Sequence, residues 1–191
     1  MGYTTDFTGS FKLNRPATVA EKNYINTFSR IRHMRRDINI LMDLYKGSHG
    51  LLGTSAETHT PEQIYGVEGA YFAMDDGNYG QGNDNSILDY NQPPNQLGYS
   101  GGVSFDERWN ENQKRVNEGT CVPALWCQWV LNEDGTEVKW DGGEKFYEYI
   151  AWIKYLITHF FQPWGIVLNG EVEWSGEERG DIGKIVITNN E

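Results

Sequence analysis

The chain has 191 residues, 14% of them aromatic, with a formal net charge of -11 and a pI near 4.8. That length suits a single domain spanning 1–191 with a core of its own, and the rings that would fill it bury about 150–250 Å² each. So large an acidic excess repels phosphate backbones and anionic lipid, which argues against nucleic acid as a partner and fits solubility or a basic protein partner.

Residues 6–14 alternate: Phe7, Phe11 and Leu13 point one way, and Asp6, Thr8, Ser10, Lys12 and Asn14 the other. Period 2 with one apolar face predicts a half-buried strand. Pro16 suits the first turn of a helix, on which Ala20, Tyr24, Phe28 and Ile31 recur at helical spacing. The helix is expected to run into the basic cluster Arg30, Arg32, His33, Arg35 and Arg36. Cations there complement the helix dipole, or Arg32, Arg35 and Arg36 contact an anion or an acidic partner. Ile38–Tyr45 extends this helix or forms a short second one.

An irregular insertion is expected over about 47–124, where periodicity is weak. From Gly66 to Gly102 the chain turns to Gly, Asn, Asp, Tyr and Pro, a functional loop or a partly disordered segment by its length. Its tyrosines and Phe72 favour an ordered excursion.

Regularity returns with Leu125, Cys127, Trp129 and Leu131 alternating against Trp126, Gln128, Val130 and Asn132. Asn132-Glu133-Asp134-Gly135 then makes a hairpin turn into Val138 and Trp140. The strongest helix is predicted from Glu144 to about Phe161. Its buried stripe would be Phe146, Tyr149, Ile150, Ile153, Leu156, Ile157, Phe160 and Phe161, with Glu148, Trp152, Tyr155 and His159 opposite. Pro163 and Gly165 stop it. In a last hairpin Leu168, Val172 and Trp174 face inward and Asn169, Glu171 and Glu173 outward, returning through Glu177–Asp181 to Ile185 and Ile187. The fold class expected is α+β: an antiparallel sheet with both main helices on one face, in the ferredoxin-like order β-α-β-β-α-β plus a C-terminal edge strand.

The opening Met1-Gly2-Tyr3-Thr4-Thr5-Asp6-Phe7-Thr8-Gly9 resembles a family of small uncharacterised proteins of bacteriophages and bacterial genomes. So do Tyr79-Gly80-Gln81, Ile87-Leu88-Asp89-Tyr90-Asn91, Leu125-Trp126-Cys127-Gln128-Trp129, Trp140-Asp141-Gly142-Gly143-Glu144-Lys145-Phe146-Tyr147, and Pro163-Trp164-Gly165 through Asn169-Gly170-Glu171-Val172. The likeness covers both ends and is most specific in the last third. It implies a phage or prophage origin and carries no activity with it. The first residues lack a basic region followed by an apolar run, and no window approaches the roughly 18 apolar residues of a membrane span. The expectation is therefore the host cytoplasm, no membrane partner, and reduced Cys121 and Cys127.

Catalytic patterns are thin. Glu171 and Glu173 share a strand face and could work as a carboxylate pair, but alternating polar residues on the wet side of a strand look the same. Cys127 with His159 could form a nucleophile and base, whereas a cysteine on an apolar strand face usually acts as a small hydrophobe. The histidines lack ligand spacing, and the Asp and Asn residues of 75–89 lack the EF-hand pattern, so no metal and no cofactor is expected. Trp126, Tyr147, Trp152 and Tyr155 fall on the less buried sides of their elements. With Tyr79, Asp89, Tyr90, Glu171 and Glu173 they make up the expected binding residues, because Trp and Tyr dominate binding hot spots. The function these features favour is a non-enzymatic module that binds a host or phage protein and inhibits a host system. The alternative is a nucleotide- or sugar-binding protein or enzyme, with a pocket formed by the Gly/Asp/Tyr-rich loop.

Overall fold

The computed structural model describes residues 3–33, 36–44, 60–66, 69–73, 85–87 and 122–191. By internal contact the chain forms two compact units: Met1–Ser29 with Cys127–Glu191, and Arg30–Trp126. The segment that interrupts the first unit is thus wider than the expected insertion at 47–124.

The first unit is α+β. Its strands β1 (Thr5–Leu13), β2 (Trp129–Leu131), β3 (Glu137–Trp140), β4 (Leu168–Gly176) and β5 (Ile182–Ile187) form one antiparallel sheet in the order β2-β3-β1-β4-β5. Register collects the apolar alternates on one side. Phe11 lies opposite Val138 and Gly170, Phe7 opposite Trp174, Leu131 opposite Val138, and Val172 opposite Ile185. The other side carries Asp6, Thr8, Ser10, Lys12, Glu171, Glu173 and Lys184.

Rings fill the apolar side. Phe7 meets Trp129, Trp140, Phe146 and Tyr149 edge-on at centroid distances of 4.9–5.7 Å, the arrangement that the ring quadrupole favours. The Trp129 Nε1–H donates to the Tyr149 carbonyl at 2.9 Å, so its polar atom is satisfied where it is buried. Helix α1 (Val19–Arg30) and helix α4 (Tyr149–Leu156, continued by a wide π turn over Ile157–Phe161) meet through Phe28. That ring stacks on Tyr155 and packs edge-on against Trp152 and Phe160.

Helix α1 starts at Val19, three residues after Pro16, and its buried line is Glu21, Ile25, Phe28 and Ser29 rather than one led by Ala20. The cause is a capping box: the Thr18 N–H donates to the Glu21 carboxylate at 2.7 Å and the Glu21 N–H to the Thr18 hydroxyl at 3.2 Å. Arg15 completes it with two hydrogen bonds to Glu21 (2.8 and 2.9 Å) and a third to the Trp164 carbonyl. The helix ends at Arg30, so Arg32 and Arg36 are not on it. Helix α4 is also shorter than the predicted 144–161. Lys145 and Glu148 have left-handed backbones (φ 59° and 55°), which leaves the first predicted turn unwound and lets Phe146 tuck under β1 and β2. The β2–β3 turn forms as expected, with Gly135 at φ 68° where a side chain would be strained.

The second unit has a core of its own: Ile31, Leu41, Ile64, Tyr65, Phe72 and Ile87, with Ile38 and Met42 packed against it. Short helices α2 (Ile38–Leu44) and α3 (Pro61–Tyr65) supply part of it. Asp37 caps α2 by accepting from the N–H groups of Asn39 and Ile40. His33, fully buried, is tied twice to the Leu125 carbonyl, at 2.7 Å from its N–H and 3.0 Å from Nδ1, and burial lowers its pKa to about 3.

The hydrogen bonds from Arg15 pull the Glu21 carboxyl from its ordinary value down to about 2. A lowered folded-state pKa contributes stability that is complete above the unfolded value and is lost as pH falls through the folded one. Glu21→Gln should therefore lower the stability of the first unit by roughly 1–3 kcal/mol at neutral pH. In urea titrations followed by tryptophan fluorescence, the gap between the two proteins should close between about pH 4.5 and about pH 2. A constant gap over that range would show that the charge of Glu21 does not matter.

Candidate protein-interaction surface

Because β1 and β4 alternate in register, their even and odd outward residues land side by side. Thr8 is opposite Glu173, Asp6 opposite Ser175, Glu173 opposite Lys184, and Ser175 opposite Ile182. Together Asp6, Thr8, Glu173, Ser175, Ile182 and Lys184 line an open groove of about 520 Å³ on the polar side of the sheet. The Lys184 ammonium bonds diagonally to Glu171 at 2.7 Å, and that hydrogen bond raises its pKa. Both partners are solvated, so the pair contributes little stability. It does neutralise the cation, which leaves Asp6 and Glu173 to set the charge of the groove. Beside these acids sit two exposed aliphatic side chains, Ile182 at 71% and Val186 at 54%.

Glu171 and Glu173 thus occupy the outward face expected of them. Both are exposed, as alternating polar residues on the wet side of an antiparallel strand are. Tyr147 is half exposed, and Trp126, in the second unit, is partly buried. Trp152 and Tyr155 correct the helix reading: they are 0% and 3% exposed, because α1 covers them with Phe28. Arg36 is corrected as well. Its guanidinium lies 4.7 Å over the Phe72 ring and donates to the Arg32 carbonyl, and the residue is 2% exposed, so it serves the core of the second unit. Arg32 is partly buried. Tyr79, Asp89, Tyr90 and Arg35 lie outside the described residues, as does most of the Gly/Asp/Tyr-rich loop.

The residues missed in the sequence are Asp6, Thr8, Ser175, Ile182 and Lys184. Alternation alone places Asp6 and Thr8 on the wet side, but only the β1–β4 pairing puts them beside Glu173. Ile182 and Val186 carried a usable signal: in Ile182-Gly183-Lys184-Ile185-Val186-Ile187 the face opposite Ile185 and Ile187 is aliphatic at two of its three positions, which the wet face of an ordinary half-buried strand is not.

Cys127 is fully buried, and burial pushes its thiol up to about 12. The thiolate is the nucleophile, so this cysteine cannot serve with His159, whose ring instead lies 4.3 Å from that of Tyr155. Native protein should leave Cys127 unlabelled by iodoacetamide at pH 8 and label it on denaturation, as intact-mass peptide mapping would show. Rapid native labelling at this residue would restore it as a nucleophile.

Among the described residues no helix is long and apolar enough to cross a membrane. No family model, no curated protein and no solved structure matches this chain.

Proposed function

We propose that the chain is a phage-encoded, non-enzymatic interaction module that acts in the host cytoplasm by binding, and thereby inhibiting, a host protein. The observation that carries this reading is the uncovered side of the sheet, where Asp6, Glu171 and Glu173 are interleaved with exposed Ile182 and Val186. Desolvated aliphatic groups ringed by charge are how protein interfaces combine affinity with orientation. The acidic groove and the net charge of -11 select a basic partner surface. A ferredoxin-like order of elements with an added C-terminal edge strand belongs to the same proposal. It is supported by β1 lying between β3 and β4, with β2 outermost on one side and β5 added on the other.

A small-molecule reading is favoured by one feature, the groove of about 520 Å³, although its exposed walls would bury little of a ligand.

Immobilised wild-type protein should retain a specific protein from host lysate, and moderate salt should release it. A variant carrying Asp6→Lys with Glu173→Lys should lose that protein while keeping its tryptophan fluorescence spectrum. If both retain the same set of proteins, the acidic face is not the binding surface. If neither retains any while a nucleotide or sugar raises the melting temperature by several degrees, the small-molecule reading takes its place.

A further inference from the structure

The two edges of the sheet are finished differently. In an antiparallel ladder, alternate residues aim both backbone groups at one neighbouring strand and the residues between aim them the other way. The bonds from Asn132 N–H to the Glu137 carbonyl and from Asp141 N–H to the Gln128 carbonyl show that even-numbered residues around β2 face β3. Trp129 and Leu131 therefore point outward, and α1 seals them. Ser29 donates to the Trp129 carbonyl at 2.6 Å, and the Asn26 amide bonds both the N–H and the carbonyl of Leu131, at 2.8 and 3.1 Å.

At the other edge, the bond from Asn14 N–H to the Val167 carbonyl fixes that odd residues of β4 face β1. The bond from Gly176 N–H to the Asp181 carbonyl extends the alternation into β5. The N–H and carbonyl groups of Ile182, Lys184 and Val186 thus point away from the sheet. Among the described residues none of them is bonded. The same three residues carry their side chains on the polar face, where Ile182 and Val186 are the exposed aliphatics. Natural sheets usually blunt such an edge with charged side chains, a proline or a covering element. Here the one charge on the edge strand is Lys184, and it is drawn across the face to Glu171, between the aliphatic Ile182 and Val186.

We infer that the outer edge of β5 takes up an extended, basic segment of a protein partner by strand addition. This rests on the interaction-module reading above and gives it a binding mode. Main-chain bonds to Ile182, Lys184 and Val186 supply the affinity, and side-chain alternation supplies the choice. Opposite Ile182 and Val186 the incoming strand places β-branched residues. Opposite Lys184 it places an uncharged one, since like charges directly across a ladder repel. Its flanks are basic, to meet Glu171, Glu173 and Asp6. On the inner side the Trp174 ring fills the space over Gly183 and offers the incoming strand an aromatic neighbour.

The probe is a fluorescein-labelled peptide, Lys-Thr-Val-Ser-Thr-Ser-Val-Thr-Lys, about one strand in length. Its control is the same peptide N-methylated at alternate residues along the edge that would face β5. Anisotropy should report binding of the first peptide to the wild type and not of the second. Val186→Lys and, separately, Val186→Pro, which deletes one outward N–H, should each weaken binding at least about tenfold, as expected for the loss of one or two strand contacts. Since Val186 is exposed, the Lys variant keeps the fold and covers the case in which the Pro variant does not. No binding by the wild type, or equal binding of the methylated peptide, overturns the inference. So does a concentration-dependent dimer in sedimentation that Val186→Lys dissolves, which would give the edge to a second copy of this chain. A host protein captured equally by wild type and Val186→Lys would remove strand addition while leaving the module reading in place.

Discussion

Phe7 is the ring on which the first unit turns. It sits on the central strand of the sheet and touches Trp129, Trp140, Phe146 and Tyr149, which come from the neighbouring β2–β3 pair and from the entry to α4. Four edge-on ring contacts at one side chain oblige these elements to share one side of the sheet. Even at about 0.5–1.5 kcal/mol per ring pair beyond area burial, the cluster outweighs any single hydrogen bond around it. Both helices are then committed to that side, α4 through Tyr149 and α1 through Phe28 against Trp152 and Tyr155. The polar side owes its exposure to this commitment.

The same commitment explains why the edges differ. Helix α1 crosses at the β2 end, where Asn26 and Ser29 reach the outward backbone groups of a strand only three residues long. The longer β5 lies at the far end of the sheet, beyond β1 and β4. Exposed acids, exposed aliphatics and unbonded backbone groups therefore coincide on one strand and its immediate neighbours. Charge alone would make a solvated face, and an open edge alone an aggregation hazard. Their coincidence is what the proposal of an extended, basic partner rests on.

Much of this could be read from the residues. The alternation of 6–14 and of Leu168–Trp174, and the Asp134-Gly135 turn, locate strands whose sides are those observed, because period 2 survives any choice of neighbour. What failed were inferences that need a neighbour. Helix α4 is apolar nearly all round, so a single stripe does not distinguish the side facing the sheet from the side facing α1, and Trp152 and Tyr155, expected at the surface, are buried. Glu21 sits on the buried line of α1 because Arg15 and Thr18 satisfy it, a partnership that hydropathy does not register. Arg36 belongs to the basic cluster by sequence, but the Phe72 ring beneath it, far off in the chain, makes it a core residue. The groove required the pairing of β1 with β4, whose residues lie far apart in the chain.

Amide hydrogen exchange measured residue by residue reads the asymmetry of the sheet most directly. The Leu131 amide, held by Asn26 at 2.8 Å, should be protected, as should those of Gly183, Ile185 and Ile187, which face β4. The amides of Ile182, Lys184 and Val186 should exchange at rates close to those of an exposed chain. Protection of these three equal to that of their odd-numbered neighbours would mean that the edge is already covered, and the account of β5 as a docking strand would be contradicted.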